Sequence, residues 1–430
     1  MSEKARNHQQ IPEWFRLDNA ATIFPGQNSN SWSNLFRFSL ELTEKVKPDI
    51  LKQALVRVLP RFPGFDVRIR RGLFWYYFEK NPIEAPPVNI DIKNPCHRIN
   101  FKENDRFLFR VYYYENHIAV DTYHAVTDGH GGAVFTCTLV AEYLRLCGKE
   151  ISSGGMVYDI TEAPKKCELE DSFIKNATSK GKIKRSDKFV YHAVGTKLPR
   201  HLVNIISGTM SFEEIHKLSS EKGVTVTEFF AALLLRIHYE KQLREKRKQK
   251  EISVQIPIDL RRVYGSESLR NFTICLRVKI DSQLGDYSFD ELLNLVSLQL
   301  RLAKDEKKLN AMVTANTAIE RNPVLKFIPL AVKDIGVGIS FFITGEQTTT
   351  SLLSNLGPVD LPEDMRPYVN KALFMPGPGK LNAARCGIAT VGDKLVFTFA
   401  DIYEETDIER EFFTRLVKMG VRVKIESNRG

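Results

Sequence analysis

The chain has 430 residues, 43% hydrophobic and 27% charged, and 62 Lys and Arg against 52 Asp and Glu give it a net charge of +10. That length exceeds what one growing core sustains, so two domains are expected, and the composition excludes extended disorder. The basic excess suits an anionic co-substrate but carries no nucleic-acid-binding signature, and six scattered cysteines (Cys96, Cys137, Cys147, Cys167, Cys275, Cys386) exclude a disulfide scaffold and supply no metal-ligand cluster.

The opening residues, Met1-Ser2-Glu3-Lys4-Ala5-Arg6-Asn7-His8, are polar and lack the apolar core of a signal peptide, so the reducing cytoplasm is the expected compartment. Residues 48–61 carry Ile50, Leu51, Ala54, Leu55 and Val58 on one helical stripe ended by Pro60 and Pro63. Residues 73–78 read as an aromatic strand, and two Val/Ile/Tyr-rich strands follow at 107–113 and 117–123. Helical spacing resumes at 133–146. The pattern weakens into a polar stretch near 152–197, the expected crossover between domains, with boundaries at 1–160, 161–204 and 205–430.

In the second half, Thr225 with Glu228, Ser288 with Glu291 and Thr406 with Glu409 are spaced as capping boxes that open helices. Strands are expected at 252–256, 273–280 and 340–344, and residues 387–391 and 395–400 form a hairpin through Gly392-Asp393. The apolar stretch 327–343 is interrupted by Pro329, Lys333, Asp334, Gly336 and Gly338; a spanning helix needs about 18 or more continuous apolar residues, so the stretch reads as buried core and no membrane span is expected. The fold class is α+β in both halves.

One segment carries chemistry: Asp121-Thr122-Tyr123-His124-Ala125-Val126-Thr127-Asp128-Gly129-His130-Gly131-Gly132. A strand ends, a histidine and an aspartate lie four apart, and glycines open the next helix, where they allow a sharp turn or a close approach to the backbone. Transfer of an acyl group from a thioester to a hydroxyl needs a base because the neutral hydroxyl is a poor nucleophile, and a histidine titrating near neutrality suits that role. Taken alone, the segment reads rather as a core histidine at a strand end followed by an aspartate N-cap.

Two further motifs stand with it: Pro257-Ile258-Asp259-Leu260-Arg261 followed by Asn271-Phe272, and Ser354-Asn355-Leu356-Gly357-Pro358. With all three in this order, the chain resembles the acyltransferase superfamily of chloramphenicol acetyltransferase, peptide-synthetase condensation domains and plant BAHD enzymes, nearest to bacterial alcohol acetyltransferases. The signature there is HHxxxDG, with Tyr123 standing here for the first histidine and Arg270 for a glycine before Asn271.

The resemblance implies two chloramphenicol-acetyltransferase-like α/β sandwich domains forming a V-shaped pseudo-dimer around a central channel. It implies His124 as general base, and Asp128 with Gly129 as structural elements of the site, Asp128 being paired with Arg61. Tyr123, Arg261, Asn271, Ser354 and Asn355 are the implied substrate or cofactor contacts. Coenzyme A thioester is the implied co-substrate, with no metal and no bound prosthetic group. The implied partners are a small-molecule donor and acceptor acting on a monomer. A donor held on a separate acyl-carrier protein, or a catalytically silent binding module of the same fold, are the alternatives.

The basic run at 241–250 is a candidate contact for coenzyme phosphates and equally a solvated helix end; Gly377-Pro378-Gly379-Lys380 lacks phosphate-loop spacing and reads as a turn.

Overall fold

The computed structural model describes residues 12–28, 33–179, 181, 188–199, 202–318, 322, 327–381 and 384–429. The polar N-terminus, His201 and parts of the expected crossover lie outside the described residues.

Among the described residues, fifteen strands are distributed over three sheets. A three-stranded sheet has the order β1 (Trp14–Arg16), β4 (Tyr76–Lys80), β3 (Val67–Arg71). A five-stranded sheet runs β12 (Val369–Pro376), β2 (Leu35–Leu42), β7 (His117–Tyr123), β6 (Phe109–Tyr114), β5 (Val88–Ile90). A seven-stranded mixed sheet runs β10 (Thr273–Ile280), β9 (Ile252–Asp259), β11 (Ser351–Pro358), β13 (Arg385–Val391), β14 (Lys394–Asp401), β8 (Asn204–Ser211), β15 (Lys424–Ser427).

The helices in chain order are α1 (Phe24–Gln27), α2 (Pro48–Val58), α3 (Gly129–Leu146), α4 (Ser172–Asn176), α5 (Phe212–Glu221), α6 (Val226–Arg244), α7 (Arg261–Tyr264), α8 (Phe289–Ala303), α9 (Glu306–Asn316), α10 (Leu330–Thr344) and α11 (Asp407–Lys418).

Helices α2 and α3 pack together beside the five-stranded sheet, burying Leu51, Leu55 and Val58 against Phe135 and Leu139 in a first core. Helix α6 is apolar almost all round, with Phe229 to Leu235 all buried, because α8, α11 and the large sheet enclose it in a second core. The two cores are laced by β12. It leaves the second half, pairs antiparallel with β2 from Val369↔Leu42 to Pro376↔Phe36, and places Ala372, Phe374 and Met375 in the first core. The strand is buried on both faces, and the register shifts by one residue between Val369 and Lys371.

Capping boxes close on Thr225 with Glu228 and on Ser288 with Glu291, as their spacing predicts. The third does not form. Thr406 makes no side-chain cap bond, and Glu409 lies buried beside Asp401, whose carboxyl shares its surroundings. The Gly392-Asp393 hairpin is present, with Val391 opposite Lys394 and Gly392 at φ +56°.

Two expectations fail in the same segment. Residues 340–344 are the last turn of α10 and not a strand, and 327–343 is not buried core: α10 lies on the outside, with Ile335, Ile339 and Ile343 exposed. Its β-branched content suggested a strand, but contacts with α1 and with the turn before β4 favour the helix. The aromatic strand also begins later than expected, at Tyr76, because Gly72 and Trp75 close a turn.

Candidate active site

Strand β7 ends at Tyr123, and the next five residues form a tight loop before α3. Asp128 caps α3, its Oδ1 accepting from the Gly131 N–H at 3.4 Å. Gly131 is required by contact rather than by φ: a Cβ there would stand 2.4 Å from the Leu269 carbonyl oxygen and 2.1 Å from Thr127 Oγ1. The segment that crowds it, 266–272, comes from the second half of the chain and is held by Thr127 Oγ1–H donating to Leu269 O at 2.5 Å.

Strand β9 leads through Pro257 into α7, Gly265 turns the chain at φ +61°, and residues 266–272 return to the His124 loop. Arg261 spans the two halves. Its Nη1 and Nη2 donate to the two oxygens of Asp128 at 3.0 and 2.9 Å, and its Nε donates to Ser268 O at 2.6 Å. Asp128 also accepts from Phe272 N at 2.9 Å and Thr273 Oγ1 at 2.8 Å. This donor set overcomes burial and holds its carboxyl down at about 2, so it is ionised at every ordinary pH. Arg261 is therefore a structural clamp and not a cofactor contact.

Arg61, the implied partner of Asp128, is engaged elsewhere. It forms a buried bidentate pair with Glu168 at 2.6 and 2.8 Å and donates to Asp159 O. The resemblance implied an arginine from the first half, but Glu168 of the crossover segment takes Arg61 and the arginine on Asp128 comes from the second half.

His124 is set by Asn271. Asn271 Nδ2 donates to the His124 carbonyl at 3.0 Å and to Asp18 Oδ2 at 3.2 Å, which turns its Oδ1 toward His124 Nδ1 at 2.9 Å. An amide oxygen only accepts, so Nδ1 carries the proton and Nε2 keeps its lone pair. Phe24 stacks on the imidazole at 4.8 Å and Phe36 meets it edge-on at 5.3 Å. Burial lowers the imidazole pKa below 6.5, with Asp128 and Asn271 opposing, so the ring is neutral at pH 7.

Asp18 was not legible in the sequence. Buried, it accepts from Ala21 N at 2.8 Å and lies 3.5 Å from Arg270 Nε, and burial lifts its carboxyl to about 6 with Arg270 countering. Arg270, where the motif has glycine, borders the cavity and is tied to the N-terminal segment: it donates to Arg16 O at 2.7 Å and stacks over Phe15. Its departure from the motif was the one signal available.

Tyr123, the other departure, is fully buried in the first core, its ring edge-on to Phe101 at 5.4 Å. Strand alternation turns it away from the side His124 faces, so it is not a substrate contact. Asn355 is a brace, donating to Thr227 Oγ1 at 3.0 Å and accepting from Gly357 N at 2.8 Å.

His124, Gly129, His130, Asn271, Ser354 and Asn355 all border one cavity of about 1840 Å³. Its walls come from both halves, Phe36 and Met156 from the first and Ile274, Met312 and Leu352 from the second, and α10 forms part of one side. Gly129 keeps it open, since a Cβ there would meet Leu356 at 2.8 Å. The basic run at 241–250 does not border it; Lys241 is buried against Asp407. Among the described residues no group of three or more His, Cys, Asp or Glu is arranged to hold a metal ion.

No family model and no curated protein sequence matches the chain. Solved structures do match. Polyketide synthase associated protein 5 from Mycobacterium tuberculosis superposes with a TM-score of 0.62 at 15% identity, covering 95% of this chain and 99% of that one. Trichothecene 15-O-acetyltransferase from Fusarium sporotrichioides gives a TM-score of 0.62 at 10% identity over 94% of each chain. A mutant starter condensation domain of rhizomide synthetase, in complex with C8-CoA, gives 0.59 at 11% identity over 94% of this chain and 93% of that one. The chain thus has the two-domain fold shared by coenzyme A-dependent acetyltransferases and condensation domains.

Proposed function

We propose that the chain is an acyltransferase that moves an acyl group from a coenzyme A thioester to an alcohol hydroxyl or an amine. One observation carries this reading: His124 is fixed at a cavity wall in the tautomer that leaves Nε2 unprotonated.

In this reading the acceptor O–H donates to Nε2, the oxygen attacks the thioester carbonyl carbon, and the proton passes to His124. The tetrahedral intermediate collapses by breaking the C–S bond, and the leaving thiolate takes the proton back, giving the ester and free thiol. Asn271 holds the ring tautomer, Asp18, itself beside Arg270, holds Asn271, and the Asp128–Arg261 pair holds the loop. Ser354, on the cavity wall, is the proposed donor to the thioester oxygen as negative charge develops there. The neighbours' names, acetyltransferase and condensation domain with C8-CoA, support a pantetheine thioester donor.

The test is mass spectrometry of acylated products after incubation with acetyl-CoA or octanoyl-CoA and a panel of alcohols and amines. A new ester or amide supports the reading. Products formed only when the acyl group is supplied on a phosphopantetheinylated carrier protein assign the condensation-type variant. A protein that neither acylates nor hydrolyses any donor is a silent member of the fold.

A further inference from the structure

Helix α10 is patterned inside out. Its two charged residues turn inward: Lys333 Nζ donates to Phe74 O at 2.9 Å and Asp334 accepts from Tyr76 O–H at 2.8 Å, while Val337 borders the cavity. On the opposite side Ile335 and Ile339 are 67% and 57% exposed, Phe342 and Ile343 continue the strip, and no charged residue interrupts it. A surface helix of a soluble protein shows the reverse arrangement, so this face is built to be covered.

The turn before β4 extends the same patch. Leu73 accepts from Leu330 N–H through its carbonyl and is 71% exposed, and Phe327, 72% exposed, meets Phe74 edge-on. Trp75 is exposed at the patch edge, with Arg16 stacked over it. At the rim stand that Arg16, itself exposed, and the exposed Arg71 of β3, which lies 4.0 Å from Asp334.

We propose that α10 and the 72–75 turn dock the protein on an anionic phospholipid bilayer, in the plane of the interface and without crossing it. Two features argue for lipid over a second copy of the chain. An apolar strip rimmed by arginines, with a tryptophan at its edge, matches the layered chemistry of a headgroup region. The helix that would lie in that layer is also a wall of the cavity holding His124, so an apolar ligand leaving the bilayer would pass beside it.

The experiment is co-sedimentation of the full chain with vesicles of phosphatidylcholine alone and of phosphatidylcholine mixed with phosphatidylglycerol. Binding is expected to be tighter on the mixed vesicles. Replacing Ile335→Glu with Ile339→Glu should lower partitioning about a hundredfold, from the apolar burial of two side chains. Arg16→Gln with Arg71→Gln should lower it about tenfold on mixed vesicles and leave phosphatidylcholine binding unchanged. All four positions are exposed, so folding is spared. Absence of binding to either vesicle, or equal binding by the isoleucine variant, would overturn the proposal. So would sedimentation equilibrium showing a dimer that the isoleucine variant dissolves, with no vesicle binding. None of these readouts depends on acyl transfer.

Discussion

Removing Asp128 tests whether it anchors the site or takes part in chemistry. Its carboxylate receives two bonds from Arg261 and one each from Phe272 N–H and Thr273 Oγ1–H within 3.0 Å, all inside the protein. In Asp128→Ala, Arg261 keeps Ser268 O and the partly exposed Asp259 but loses its buried bidentate partner. Breaking such a pair from one side costs roughly 3–5 kcal/mol. Arg261→Met should cost a similar amount, and the double variant less than the sum, with a coupling of about 2 kcal/mol, because the two changes remove one interaction. Urea unfolding of the four proteins at pH 7 measures this. The pH dependence follows in sign: with the folded pKa depressed from 3.8 to about 2, the carboxylate contributes about 2 kcal/mol that is present above 3.8 and lost as pH falls through about 2. The gap between wild type and Asp128→Ala should therefore narrow in acid. An Asp128→Ala protein with an unchanged urea midpoint and collapsed kcat/KM would refute the anchor and assign Asp128 to the reaction.

Other expectations follow from the same geometry. Asn271→Leu removes the acceptor that fixes the His124 tautomer, so kcat should fall on the order of 10²-fold while circular dichroism is unchanged. Because the Asn271 bond supports the protonated ring, the acid limb of the pH profile should also move to lower pH; an unchanged limb would deny the contact. In wild type that limb should have its midpoint below 6.5, rate rising with pH as His124 loses its proton; a midpoint above 7 would contradict the burial argument. Gly131→Ala should cost about 2 kcal/mol or more in urea unfolding, since the Leu269 carbonyl cannot give way without moving the clamp; a neutral effect would mean the segment is loosely held. Ser354→Ala should lower kcat about 10²-fold with little change in stability, whereas a loss of stability alone would make it a brace.

Local signals were legible where local physics decides. The Thr225 and Ser288 capping boxes and the Gly392-Asp393 turn each rest on residues within four positions of one another, and each appears as read. Thr406 failed because Glu409 is recruited by a tertiary neighbour, Asp401, from another strand. The same limit applies to the site. His124 and Asp128 stand out by spacing, but which arginine reaches Asp128 depends on how residues 261 and 128 meet across the halves, 133 positions apart. Asp18 carries no motif, and its role exists because the N-terminal segment lies against residues 270 and 271. Helix α10 departs from its reading for a related reason: apolar content becomes burial only where the fold supplies a facing surface, and Ile335 and Ile339 are left exposed.

The proposed role of His124 Nε2 as acceptor of the attacking group's proton is tested most directly by release of free thiol from acyl-CoA, with and without an acceptor alcohol, by wild type and His124→Ala at equal folded concentration. Acceptor-stimulated release is expected of wild type, with a loss of about 10² to 10⁴ in kcat for His124→Ala at unchanged urea midpoint. Equal rates for the two proteins would contradict it.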